Sequence, residues 1–252
     1  MEIESYGLSD TGCVRPENED RILSDPSVGF YAVCDGMGGH QRGDVAAEIA
    51  ISAMGHYAKA SADRFDVSWP FGYKYELSIE ANRMVTGIKL ANHQVWRRAE
   101  QELEYAGMGT TIAAVLLDGR QFVAGNVGDS RIYRLRQEEL LQLSVDDTMI
   151  ASMVQRGLLR EEETRKHPLR NVLTQAAGSQ EAVEVHLHEG ILEPGDILLL
   201  CSDGLYGAVA RDHIRSILQN GEKLDVRVRR LIEAARTAGA PDNVSAVVLL
   251  YS

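Results

Sequence analysis

Apolar residues in this chain fall into short unbroken runs and two long stretches of helical spacing. Residues 30–34 read as a buried strand. From about residue 44 to 57, Val45, Ile49, Ala53 and Tyr57 recur at helical spacing. From about 77 to 100, Leu77, Ala81, Met84, Ile88, Val95 and Ala99 approximate a second apolar face. The period then shortens. Residues 110–117, 121–127, 131–135 and 140–143 read as successive strands with hairpin connections, the first turning at Asp118-Gly119, which predicts an antiparallel meander. Further strands are predicted at 183–187, 197–201 and 244–251, with helices near 211–218 and 227–238. Strand runs grouped apart from helix runs imply α+β, sheet on sheet with helices outside.

Neither a repeat nor a Gly/Ser linker divides the 252 residues, so one domain over 1–252 is expected. Hydrophobic residues at 44% and charged residues at 25% suit a chain with a substantial core. The first ten residues carry acids where a signal peptide carries bases, and no window supplies the ~18–20 apolar residues needed to span a bilayer. A cytoplasmic protein without membrane insertion is expected. Cys13, Cys34 and Cys201 are odd in number and far apart, which fits reduced thiols better than disulfides or clustered zinc ligands. A net charge of -11 disfavours nucleic acid as a partner. It also leaves carboxylates to be gathered around cations. The aromatic stretch 61–75, with Trp69-Pro70-Phe71-Gly72-Tyr73, reads first as a surface loop packed under its own rings and second as a binding lip, and its role is left unassigned.

The acids carry the chemistry. Asn18-Glu19-Asp20, Asp35-Gly36-Met37-Gly38-Gly39-His40, Gly128-Asp129-Ser130-Arg131, Ser202-Asp203-Gly204 and Pro241-Asp242-Asn243 all set carboxylates beside turn residues. Asp35 and Asp203 each follow an apolar strand, which puts them at the edge of a core, where a carboxylate needs a compensating charge. Arg15, Arg21 and Arg131 are too few to neutralise them all, whereas Mg²⁺ or Mn²⁺, with oxygen ligands and retained waters, suits scattered aspartates. The glycines after Asp35 permit a backbone carbonyl or a phosphate to approach closely. Any one of these motifs alone reads as a turn.

Taken together, in this order and spacing from Ser9-Asp10 to Asp242-Asn243, they resemble the metal-dependent serine/threonine phosphatases of the protein phosphatase 2C (PP2C) family, in its bacterial branch. The resemblance implies a central antiparallel β-sandwich flanked by helices on both sides, in αββα layers. It implies two Mg²⁺ or Mn²⁺ ions, with Asp35 bridging them, the Gly36 carbonyl ligating one, and Asp203 and Asp242 completing the protein ligands of the other. Glu19 and Asp20 resemble the acids that hold the surrounding waters, and Arg15 the residue that grips the substrate phosphate. Asp129 matches the acid that, with Asp203, forms a third and weaker metal site in many bacterial members; local sequence alone also allows it to cap a turn and pair with Arg131. Eukaryotic members have a histidine directly after Asp-Gly, where this chain has Met37. His40 lies three residues later, as in bacterial relatives, with a pKa range suited to a general acid. An orienting role, on the glycine loop or on Asp20, fits it equally.

The implied activity is hydrolysis of phosphoserine and phosphothreonine in proteins by an activated water, without a phosphoenzyme, on substrates made by an opposing kinase. Residues 146–168 read as two short helices broken at Gly157; in the family this region is a variable flap beside the site, and the plain reading is a helical hairpin. Two other functions stay open: a catalytically silent PP2C-like binding module, and a metal-dependent hydrolase of small phosphate esters. Nothing such as a heptad run demands more than a monomer.

Overall fold

A computed structural model describes residues 2–38, 42–62, 67–164 and 167–252. Its strands form two antiparallel sheets. The first contains β1 (Ile3–Asp10), β11 (Val244–Tyr251), β10 (Ile197–Cys201), β7 (Arg131–Arg136) and β8 (Glu139–Gln142), in that spatial order. The second runs β2 (Asp20–Asp25), β3 (Phe30–Met37), β5 (Ile112–Asp118), β6 (Gln121–Val127), β9 (His186–Ile191), with the short β4 (Gly109–Thr110) paired to the end of β3.

Alternation along the central strands divides the core into three layers. Tyr31 and Val33 of β3 meet Leu198 and Leu200 of β10 and Val247 and Leu249 of β11 between the sheets. Phe30, Ala32 and Cys34 point the other way, onto α1 (Gly43–Ala60) and α2 (Ile79–Gln101). On the far side Ile197, Leu199 and Cys201 face α6 (Arg211–Gln219) and α7 (Leu224–Thr237). A strand covered on both faces needs apolar residues at every position, which is why these read as unbroken runs. The result is the expected αββα sandwich. Ala46, Ala47, Ala50 and Ala53 let α1 lie close over β3, and Ser78 caps α2 by accepting from the Ala81 N–H at 3.0 Å.

Three expectations change. The meander is not continuous: β5 and β6 form a hairpin in the second sheet, but β7 and β8 belong to the first, so the chain crosses between sheets at Gly128-Asp129-Ser130. The strand expected at 183–187 lies instead at His186–Ile191. The strands β1 and β2 went unread, because both are partly exposed edge strands with polar residues interrupting the alternation. The segment after β8 forms α3 (Met149–Gln155) and α4 (Glu161–Thr164), with Gly157 between them at φ 70°. A four-residue α5 (Asp203–Tyr206) follows β10. Within 67–75, Trp69, Tyr73 and Tyr75 stack edge to face at 5.1 and 5.2 Å, so the aromatics pack on one another. Among the described residues no helix is long and apolar enough to cross a membrane.

Candidate active site

Antiparallel pairing brings the acidic motifs to one end of the sandwich. β2 begins where β3 ends, so Asp20 lies directly across from Asp35. β10 ends beside the start of β7, with Cys201 opposite Arg131, and β11 starts opposite Asp10 at the end of β1. Asp129 and Asp242 occupy connections at this same rim, and Asp203 opens α5 there.

The backbone of Asp35 is pinned from three directions. Its N–H donates to Thr111 Oγ1 at 3.0 Å, and its carbonyl accepts from the Thr111 N–H at 2.8 Å and from Thr110 Oγ1 at 2.9 Å. The carboxylate is thereby aimed without being used. At Gly36 the close approach is made by the chain itself: a Cβ there would stand 2.1 Å from the Gly43 carbonyl oxygen, so the start of α1 docks against the metal-motif strand. Gly43 in turn donates its N–H to Glu19 Oε1 at 3.1 Å, which orients Glu19 toward the helix N-terminus.

Asn243 joins the other loops. Its Oδ1 accepts from the Glu19 N–H at 2.9 Å, while its Nδ2 donates to the carbonyls of Thr11 and Glu17 at 3.0 and 2.9 Å. One buried amide thus fixes the loop that carries Arg15 to the strand start that carries Asp242. Arg15 donates to Asp242 Oδ2 at 2.7 Å. Gly204 packs against Asn243 as well, since a Cβ at Gly204 would lie 2.0 Å from the Asn243 carbonyl oxygen. Asn243 and Ser202 are visible in the sequence only as parts of motifs, and Tyr206 gives no signal of its own.

The carboxylates strain one another. Asp20 is 2% exposed; Oδ2 accepts from Ser202 Oγ at 2.8 Å, and Oδ1 is buried without a donor among the described residues. Burial pushes this carboxyl up to about 6, against the lowering effect of the Ser245 and Ser202 hydroxyls. Asp35 is held well above the usual carboxylate range by burial and then by the charges of Asp20, Asp203, Asp129 and Asp242. Asp203 is lifted to about 7 by burial, then by Asp129, Asp242 and Asp20. Asp129, 8% exposed, rises to about 6 through burial and the charge of Asp146. Glu19 is raised mainly by burial, and Arg15 is raised first by its bond to Asp242. Asp20, Asp35, Asp129 and Asp203 are therefore all raised at one rim, which Asp242 shares, and Arg15 is bonded to Asp242 there.

Arg21 and Arg131 are committed elsewhere. Arg21 bonds Glu48 at 3.1 Å and lies 3.6 Å from Asp44. Arg131 gives its fork to Asp146, at 2.7 Å from Nη2 to Oδ2, so the turn-and-pair alternative for Asp129 is not what forms; Asp129 instead accepts from the Tyr206 hydroxyl at 3.2 Å. His40 lies outside the described residues. Of the thiols, Cys34 and Cys201 are buried core residues and Cys13 is exposed. Among the described residues no three His, Cys, Asp or Glu side chains close tightly enough to hold an ion by themselves. The acids form a donor set of hard oxygens, with one buried Asp20 oxygen lacking a partner among the described residues, which fits a cation that keeps several of its waters.

Comparison with known proteins gives the family and the fold. The family model described as "Protein phosphatase 2C" matches residues 17–248. The serine/threonine protein phosphatase PstP of Mycobacterium tuberculosis is 36% identical over 240 residues, covering 95% of this chain; the chain spans only 43% of that relative's length. The serine/threonine phosphatase stp of Listeria monocytogenes is 32% identical over 96% of this chain and 93% of its own. A crystal structure of the PstP catalytic domain in complex with two manganese ions superposes with a TM-score of 0.82 at 32% identity, covering 98% of this chain and 97% of that one. With the matched family model spanning nearly the whole sandwich and its acidic rim, this chain belongs to the protein phosphatase 2C family.

Proposed function

We propose that this chain is a protein serine/threonine phosphatase that uses two divalent cations, Mn²⁺ or Mg²⁺, and water to hydrolyse phosphoserine and phosphothreonine. The observation that carries the reading is the convergence of Asp20, Asp35, Asp129, Asp203 and Asp242 at one end of the sandwich, where burial raises Asp20, Asp35, Asp129 and Asp203 and the charges of neighbouring rim aspartates raise Asp20, Asp35 and Asp203 further. A cation relieves that repulsion. In this reading Asp35 and the Gly36 carbonyl, with Asp203 and Asp242, are the protein ligands, and Asp129 with Asp203 serves a third, weaker ion. When bound, the ions lower the pKa of water and offset charge on the phosphoryl oxygens.

The chain's own residues do the rest. Asp20, kept in place by Ser202 Oγ, and Glu19, kept in place by the Gly43 N–H, orient the attacking water through hydrogen bonds. Arg15 exchanges its bond to Asp242 for the substrate phosphate, which its planar fork can grip with two parallel bonds. The thiols are not required: Cys34 and Cys201 are buried with raised pKa values, which is the opposite of an activated nucleophile. For proton delivery to the departing alcohol the reading takes His40, on its sequence position alone. One catalytic domain over 1–252 acts in the cytoplasm as a monomer, on phosphorylated proteins supplied by an opposing kinase, with 146–168 as a flap that shapes substrate choice.

The test is a substrate panel of phosphopeptides, nucleotides and sugar phosphates with added Mn²⁺. The reading expects phosphothreonine and phosphoserine peptides to be turned over best. Preference for nucleotides or sugar phosphates would favour a small-ester hydrolase, and inactivity on every member would favour a silent binding module.

A further inference from the structure

We infer that Asp147, paired with His186, is a positioning residue that fixes the Asp129 turn and couples it to the start of the 146–168 segment. The inference rests on the reading of Asp129 as a metal ligand, and concerns Asp147 and His186, to which that reading gives no part at the metal site.

Asp129 follows the last strand residues of β6 at the crossing between sheets, where ladder hydrogen bonds stop. Something else must hold the turn. Both backbone groups of Gly128 are taken by one residue: the Gly128 N–H donates to Asp147 Oδ2 at 2.8 Å, and the Gly128 carbonyl accepts from the Asp147 N–H at 3.0 Å. The Asp147 side chain is 11% exposed and fully employed. Oδ2 accepts a second bond from Gln175 Nε2 at 2.8 Å, and Oδ1 lies 2.8 Å from His186 Nε2. The pairing raises the His186 pKa, its largest cause being the bond to Asp147, so the carboxylate favours the charged imidazole. A carboxylate placed here without His186 would be a half-buried anion facing only neutral donors.

The neighbouring acid grips the other flank of the turn. Asp146 takes the Arg131 fork, the guanidinium lies 3.7 Å above the Tyr206 ring, and the Tyr206 hydroxyl donates to the Asp129 carbonyl at 3.0 Å and to Asp129 Oδ2 at 3.2 Å. Two consecutive acids therefore hold Asp129 from both sides. Thr148 caps α3 immediately afterwards, accepting from the Ala151 N–H at 3.1 Å, so the first turn of the flap-like segment is continuous with the clamp. The start of α3 is thus joined to Gly128 through Thr148 and Asp147, so a change in the Asp129 turn would meet the Asp147 contacts.

Calorimetric titration with Mn²⁺ tests this on the intact chain, with circular dichroism melts to verify folding. Asp129→Ala defines the binding step that Asp129 serves. Asp147→Ala is expected to weaken that same step by about 10- to 100-fold, the usual cost of losing a partner that orients a ligand, and to leave the tighter steps unchanged. Asp147→Asn is expected to restore most of the loss, because its oxygen still accepts from Gly128 and its Nδ2 can donate to a neutral His186. Should Asp147→Ala fail to fold, His186→Ala probes the same contact, with the same selective loss expected. A folded Asp147 or His186 variant that binds like the parent, or that weakens every step equally, overturns the inference. If Asp129→Ala itself alters no step, the ligand reading of Asp129 fails instead, and the two failures are told apart.

Discussion

The charge on Asp203 should destabilise this protein whenever no cation balances it. Its carboxyl is raised from 3.8 to about 7, first by burial and then by Asp129, Asp242 and Asp20. Between those values the folded chain binds a proton that the unfolded chain has released, so stability without metal falls as pH rises from about 4 to about 7 and is lowest above that. At ~1.36 kcal/mol per pH unit, the ionised group costs the folded state on the order of 4 kcal/mol at pH 8. Asp203→Asn keeps the shape and one acceptor oxygen and removes the charge. A buried amide has its own desolvation cost, so we expect about half of that to be recovered, on the order of 2 kcal/mol, or a rise in Tm of about 4–8 °C. The assay is thermal unfolding by circular dichroism after exhaustive chelation, at pH 8 and pH 5, repeated with Mn²⁺. The variant should melt above the parent at pH 8, the gap should close at pH 5, and Mn²⁺ should raise the parent's Tm far more than the variant's. Equal melting at both pH values, or an equal response to Mn²⁺, refutes the reasoning.

Three further outcomes follow from the same geometry. Arg15→Ala should lower kcat/KM on a phosphopeptide by about 10- to 100-fold, since hydrogen bonds to charged groups contribute about 1.5–3 kcal/mol; unchanged steady-state kinetics would take Arg15 off the phosphate. Gly36→Ala should cost about 1–3 kcal/mol in urea unfolding, because the added Cβ would meet the Gly43 backbone at 2.1 Å and drive α1 from the strand. Iodoacetamide at pH 8 should label one thiol of the native protein by mass spectrometry, at exposed Cys13, because burial pushes Cys201 up to about 12 and Cys34 upward as well; turnover should survive the labelling.

What the sequence made legible depended on burial from two sides. β3, β10 and β11 are sandwiched between the opposing sheet and helices, so selection for apolar residues acts at every position and leaves an unbroken run. β1, β2 and β9 are edge strands, where exposed positions take polar residues and the register is set by a partner distant in sequence, such as Asp10 across from Val244. The crossing at Gly128 was read as a hairpin because sequence shows that a turn exists, not which sheet receives the next strand. Among site residues, the aspartates were legible because each sits where an apolar run meets glycine or asparagine. The residues that aim them, Thr111, Ser202, Tyr206 and Asp147, act through contacts 19 to 182 positions away and carry no local signature. Arg131 shows the same limit: its nearest acid in sequence is Asp129, but its fork goes to Asp146.

The central claim is that these distant carboxylates become catalytic by holding divalent cations. Its most direct measurement is turnover of a phosphothreonine peptide by chelator-treated protein before and after Mn²⁺ is restored, with Asp203→Ala alongside. The account predicts negligible hydrolysis without metal, recovery on addition of Mn²⁺, and little recovery in the variant. Hydrolysis that persists in chelator, or a variant that recovers as fully as the parent, would contradict it.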